Sequence, residues 1–346
     1  MMMRYLRAAL VGGLLAAAVL PALAQDTKLR FTLDWRFEGP SALFLAAQAK
    51  GYFKAEHLDV TIDAGTGSGA AVTRVATGAY DLGFADISAL IEFIGNNPQA
   101  QVKPQAIYMV YESTPAAVLV LKKSGIKTPA DLAGKTLGAP VFDAGRKAFP
   151  IFARANKIDL SKVTWKTMEP ALRETMLVRG DVDAITGFSF TSLLNIEARG
   201  VKAEDVVILP YPSFGVKLYG NAIIVSEEFL KKNPEAVKAF LRAFTKGMRD
   251  VIADPKASIA TVKARDGIID VALEERRLKL ALDATVLTPD ARAEGFGVAL
   301  APRLSLMASQ VSDAFGTKER VNADAVWNGT LLPSAAERNI FPAARK

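Results

Sequence analysis

The chain has 346 residues, half of them hydrophobic, and can bury about three quarters of its unfolded surface without disulfide or metal staples. No cysteine and a single histidine exclude disulfides, thiolate metal sites, thiol catalysis and a lipid-modified cysteine. The 43 Lys and Arg against 36 Asp and Glu give a mild, evenly spread +7 with no arginine-rich block, which together with an export signal argues against nucleic acid as a partner.

Met1 to Ala24 reads as a secretory signal peptide: Arg4 and Arg7, an apolar stretch from Ala8 to Leu20, then Ala22-Leu23-Ala24 as a small-residue cleavage site. A membrane anchor is the rival reading, but the run is short and holds Gly12 and Gly13. The mature chain is expected to begin at Gln25, free of any lipid anchor, and its length predicts two domains. Lys28 to Trp35 has the alternation of a first strand, with Leu29, Phe31 and Leu33 on one face. Pro40 then opens a helix that runs to Gly51.

The stretch Val60 to Ser88 organises the rest of the chain. It reads as strand, glycine-rich loop, helix, glycine, strand and polar tip. Ser68 is the expected N-cap of its helix. Leu82 to Ala85 reads as a buried parallel strand, with Asp86-Ile87-Ser88 beyond its carboxyl end, the edge where open parallel sheets bind ligands. Ile107 to Tyr111 and Val118 to Leu121 are further strands. The pattern repeats from Thr136: strands at Thr136 to Ala139, Val163 to Lys166 and Asp183 to Thr186, with loops at Pro140 to Arg146 and Gly187 to Phe190. Alternating strands and helices predict parallel sheets with right-handed crossovers. After Tyr219 the chain is expected to be helical, with the tail packing on the first lobe. The boundaries predicted are 1–24 for the signal, 25–118 with 217–346 for lobe 1, and 119–216 for lobe 2.

Gly65-x-Gly67-x-Gly69 is neither a dinucleotide fingerprint, since the third glycine comes too early, nor a phosphate loop, since no Lys-Ser/Thr follows. It is either a helix N-terminus offering N–H groups to an anion or carbonyl, or a tight turn. Asp86 is either a ligand acceptor or a helix cap; Asp34 is similar, with a place inside the sheet edge as its further alternative. Trp35, Phe37, Phe188 and Phe190 fall on loop tips, where aromatic rings serve as core or as ligand platforms. Asp143 and Arg146 are ligand contacts or an ion pair. His57 stands alone, so metal binding and a hydrolase triad built on Ser68, Ser88 or Ser189 are not expected.

Leu33-Asp34-Trp35, Ala46 to Val60 (AAQAKGYFKAEHLDV), Gly67-Ser68-Gly69, Gly78-x-x-Asp81-x-Gly83, Ser124 to Gly138 (SGIKTPADLAGKTLG) and Leu331 to Pro333 (LLP) resemble one family. It is the nitrate/sulfonate/taurine and thiamine-pyrimidine-precursor group of periplasmic binding proteins that serve ABC importers. The resemblance implies an α/β fold of two lobes (type II-like), each a mostly parallel sheet flanked by helices, with a helical C-terminal tail. It implies capture of a small organic solute, planar, aromatic or pyrimidine-like, by hinge closure in the interlobe cleft. The expected contacts are Trp35, Arg36, Glu38, Gly67, Ser68, Gly69, Asp86, Ser88, Tyr111, Phe142, Asp143, Arg146, Phe188 and Phe190. No catalytic residue, metal or cofactor is expected. The partners implied are the solute and an inner-membrane ABC permease, for a monomer in the periplasm.

Two departures matter. Pyrimidine-precursor members carry Asn and His soon after the Asp-Trp pair, where this chain has Arg36-Phe37-Glu38-Gly39. Anion-binding members often have an uncharged tip where Asp86 stands. The alternatives are therefore a binder of a small anion (sulfonate, taurine or nitrate), a pyrimidine-synthase-type enzyme, disfavoured by the missing cysteines, and a sensor docking on a receptor.

Overall fold

The computed structural model describes residues 26–341, so the signal-peptide expectation lies outside the described residues. The strands in chain order are β1 Thr27–Thr32, β2 Leu58–Asp63, β3 Leu82–Asp86, β4 Gln105–Met109, β5 Ala116–Leu121, β6 Thr136–Ala139, β7 Thr164–Thr167, β8 Ala184–Phe188, β9 Val206–Pro210 and β10 Asn221–Val225. They form two five-stranded sheets, ordered β2-β1-β3-β10-β4 and β7-β6-β8-β5-β9.

Each sheet runs mostly one way, with a single opposed strand. In the first sheet β10 is antiparallel to both β3 and β4, and in the second β5 is antiparallel to both β8 and β9. The remaining neighbours pair parallel. The opposed strands are the two reached by crossing between sheets. The chain leaves β4 and β9 at their carboxyl ends without an α-helix to carry it back, β9 being followed only by a 3-10 turn at Tyr211–Phe214. It therefore enters the other sheet from the carboxyl edge and runs against its neighbours.

The longer helices are α1 Ala42–Ala49, α2 Ser68–Ala76, α3 Ile87–Asn96, α4 Ala144–Ala155, α5 Arg173–Arg179, α6 Ser189–Glu197, α7 Pro234–Ala253, α8 Pro255–Lys263, α9 Val271–Ala281 and α10 Ala301–Phe315. Valine, phenylalanine and methionine at helical spacing give α7 its buried face, and α7 packs on α1. Phe240 stacks on Phe31 at 5.3 Å and Phe244 on Phe44 at 5.0 Å, which fixes α1 and α7 over the first sheet. Among the described residues, no helix is long and apolar enough to cross a membrane.

Several expectations shift. β1 stops at Thr32, so Asp34 and Trp35 lie in a loop and not in the strand. β9 and β10 have no counterpart in the sequence pattern; the apolar run Asn221 to Val225 is a fully buried central strand, not the start of the helical tail. Phe188 ends β8 instead of standing on a free tip. The N-cap of α2 is Gly67, at φ 136°, and Ser68 is the first helical residue. Only glycine adopts that backbone conformation readily, and a Cβ there would strike the Phe142 carbonyl. The tail also does not pack on the first sheet alone, since α9 touches α6 and α10 lies against both α3 and α4.

Candidate functional site

The carboxyl ends of both sheets face one cleft. Phe44 and Phe84 come from the first unit, Tyr111 from the crossing after β4, and Phe188 and Phe190 from the junction of β8 and α6. Phe84 meets Tyr111 edge-on at 5.1 Å, and Tyr111 lies 6.4 Å from Phe188 and 6.3 Å from Phe190. Rings from both sides thus form a box suited to a flat apolar surface.

The charged groups in the walls are mostly committed to one another. Arg173 is 1 % exposed; its Nη1 donates to Asp143 Oδ2 at 3.0 Å and its Nε to Glu174 Oε1 at 2.9 Å. Its guanidinium lies 4.9 Å from the Trp35 ring centre, joining the two units across the cleft. Arg36 donates to Glu38 at 2.9 Å.

Asp34 differs. It is buried, and its Oδ2 accepts from Asn221 Nδ2 at 2.7 Å and, more weakly, from the Ser68 hydroxyl at 3.5 Å. No cation pairs with it among the described residues. Burial, with repulsion from Asp86 adding to it, pushes its carboxyl up to about 7. Trp35 Nε1, Arg36 Nε and Asn221 Oδ1 are also buried without a hydrogen-bond partner. The lining residues therefore offer a carboxylate as acceptor, and an indole and a guanidinium N–H as donors.

Of the residues expected from sequence, Trp35, Arg36, Glu38, Gly67, Ser68, Tyr111, Asp143, Phe188 and Phe190 line this cleft. Gly69 and Phe142 do not line it; the Gly69 N–H donates to the Phe142 carbonyl at 3.3 Å. With Gly65 N–H on the Trp35 carbonyl at 2.9 Å and Gly67 N–H on the Asp34 carbonyl at 2.7 Å, the glycine-rich turn commits three of its N–H groups to carbonyls of this chain. Asp86 and Ser88 do not line the cleft: Asp86 is the N-cap of α3, its Oδ1 accepting from Ser88 N at 2.8 Å. Arg146 points away, donating to the Ala139 carbonyl and Thr167 Oγ1, both at 3.0 Å, with its guanidinium over Trp165. The sequence pattern does not single out Arg173, Phe44, Phe84 and Thr191, which also line the cleft, or Asn221, which holds Asp34. Asn221 followed a misread strand, and Arg173 carried no pattern that separates it from an ordinary helix-surface arginine.

Burial pushes the Asp86 carboxyl up to about 6, while the Ser88 N–H opposes the shift. Asn keeps an acceptor for the cap and removes the charge. Asp86→Asn is therefore expected to melt higher than the parent at pH 8 and to change solute affinity less than about threefold, since about 1.4 kcal/mol is tenfold. Calorimetry giving a tenfold loss of affinity would return Asp86 to the binding site.

The model of the family described as NMT1/THI5 like matches residues 40–258, more than half of the chain. The chain belongs to the NMT1/THI5-like family. This NMT1/THI5-like chain is 26 % identical over 215 residues to the riboflavin-binding protein RibY of Chloroflexus aurantiacus, covering 62 % of this chain and 59 % of RibY. The match thus spans less than two thirds of RibY. A second relative is 4-amino-5-hydroxymethyl-2-methylpyrimidine phosphate synthase THI13 of Saccharomyces cerevisiae, 27 % identical over 251 residues, 66 % of this chain and 68 % of the yeast protein. Among solved structures, the alkanesulfonate-binding protein SsuA of Xanthomonas axonopodis pv. citri, bound to MOPS, superposes with a TM-score of 0.69 at 17 % identity. It covers 88 % of this chain and 99 % of SsuA. At that identity the likeness speaks for the fold, which is that of the periplasmic binding proteins.

Proposed function

We propose that this chain is an extracytoplasmic solute-binding protein of an ABC importer, and that its solute is a small planar heteroaromatic molecule presenting a hydrogen-bond donor. The observation that carries the reading is the aromatic box closed over Asp34, a buried carboxylate whose partners are all neutral. A flat ring fills the box, and a donor on that ring satisfies the carboxylate. Small anions fit less well, because an anion beside Asp34 adds repulsion and the lining guanidiniums, Arg36 and Arg173, are already paired with Glu38, Asp143 and Glu174. On this reading the solute contacts come from both units, 25–118 with 217–346 and 119–216, so a bound solute favours the closed form. The protein works as a periplasmic monomer that docks transiently on a permease.

A synthase reading draws on the name of the yeast relative. The residues favour binding over turnover. The chain has no cysteine, and His57, its one histidine, is 76 % exposed beside Asp26 at the amino end of β2, far along the strand from the cleft.

A thermal-shift screen with riboflavin, 4-amino-5-hydroxymethyl-2-methylpyrimidine, taurine and nitrate tests the reading. A true solute at 100 times its Kd adds about 2.7 kcal/mol of stability. One of the two heterocycles is expected to raise the melting temperature and the anions are not. Stabilisation by taurine or nitrate alone, or consumption of a heterocycle by the purified protein, overturns it.

A further inference from the structure

Arg277 lies on α9, which packs on α8 and on the turn Gly39–Ser41 and so belongs with the first unit. Its side chain is buried, yet it reaches the second unit. Nη1 donates to the Thr191 carbonyl at 2.8 Å and Nη2 to Asn195 Oδ1 at 2.9 Å, both on α6. On its own side, Nε and Nη2 bond Glu274, which in turn accepts from the Gly39 N–H at 2.5 Å. Nη1 also stands 3.6 Å from Glu38 Oε2. Glu38 and Thr191 line the cleft from opposite units. A single buried guanidinium therefore holds one residue of each wall from behind the cavity.

The neighbouring pair shows the contrast. Arg276 meets Glu197 of α6 at 2.6 Å, but Arg276 is half exposed, so that bond is screened by water and weak. The bonds of Arg277 are charge-assisted and shielded from solvent, which makes them the stronger link. Opening the cleft carries α6 away from α9. It strips Arg277 of Thr191 and Asn195 and leaves Asn195 in need of a new donor. Every one of these bonds joins residues of this chain, so no solute is needed to make them.

We propose that Arg277 is a positioning residue for the cleft, which steadies Glu38 at the cavity wall and latches α6 to α9. The closed arrangement is then populated before a solute arrives. A solute supplies only the remaining preference for closure and keeps more of its contact energy as affinity. The proposal deepens the binding reading and rests on it for its purpose, but its test uses no solute.

Because the chain has no cysteine, Lys202→Cys in the second unit and Lys232→Cys in the first, both exposed, accept spin labels at those two places only. The protein is unfolded and refolded to remove any bound solute, and inter-label distances are measured by double electron–electron resonance. The parent is expected to show a short-distance population. In Arg277→Gln its ratio to the long-distance population falls about tenfold or more, the scale expected when hydrogen bonds to a charged group are lost. Where Arg277→Gln fails to fold, Asn195→Leu carries the test. It removes one acceptor on α6 and leaves Arg277 with Glu274, and a fall of about fivefold is expected. Identical distributions in the parent and a folded variant overturn the latch, and so does a parent with long distances alone. A failed solute screen leaves either result standing, so the two proposals fail separately.

Discussion

Arg173→Met is expected to cost about 3–5 kcal/mol of folding stability, the range for removing one partner of a buried ion pair. The arginine is 1 % exposed and holds Asp143 on one side and Glu174 on the other. Methionine fills much of the volume but leaves both carboxylates buried without a cation. Asp143 has further duties, since it caps α4 through Arg146 N at 2.8 Å and accepts from Thr186 Oγ1 at 3.3 Å. Burial pushes the Asp143 carboxyl up, and Arg173 pulls it back toward ionisation. The double variant Arg173→Met with Asp143→Asn is therefore expected to recover part of the loss. Urea denaturation of the parent, the single and the double variants measures this. A single variant within about 1 kcal/mol of the parent means that the pair contributes no more than an exposed one does.

Asp34→Asn is expected to do the opposite to stability and to damage binding. The folded-state carboxyl lies near 7, whereas an unfolded aspartate titrates near 3.8. Between those values the folded protein holds a proton that the unfolded chain has released. Stability is thus lost as pH rises from about 4 to about 7 and stays lost above. Asp86, raised to about 6, adds to the loss in the same sense. Asparagine still accepts from Asn221 and has no charge to desolvate. The variant is expected to gain on the order of 4 kcal/mol at pH 8 and almost nothing at pH 4. Melting temperatures across that range, on solute-free protein, provide the check. In the same variant a donor solute loses its charged acceptor, and affinity is expected to fall by about 2–5 kcal/mol. If the melting profiles of parent and variant run parallel from pH 4 to pH 8, Asp34 is not the group that titrates. If affinity survives, the solute donor goes elsewhere. A residue that lowers stability when empty and restores it on binding is the signature of a site held for function.

The split between what local pattern revealed and what folding decided follows the reach of each interaction. Strand-helix alternation, the glycine stop after α2 and the apolar run of β3 are set by neighbours one to four residues away. They were enough to predict two parallel-type units and a cleft at their carboxyl edges. The same local reach placed Trp35, Phe188 and Phe190 near that edge. It failed at β10, because a short apolar run serves equally as buried strand or helix, and only pairing with β3 and β4 selected the strand. It could not rank the carboxylates. Asp34 and Asp86 each follow an apolar run, but one meets Asn221, 187 residues away, at the cavity wall while the other caps the next helix. Nor could it rank the arginines. Arg146 is drawn out over Trp165, and Arg173 is buried by Asp143 thirty positions earlier. The sequence by itself determined which backbone edges meet. The tertiary structure decided which charges are buried there, because the cost of burying a charge depends on partners that only the fold brings within reach.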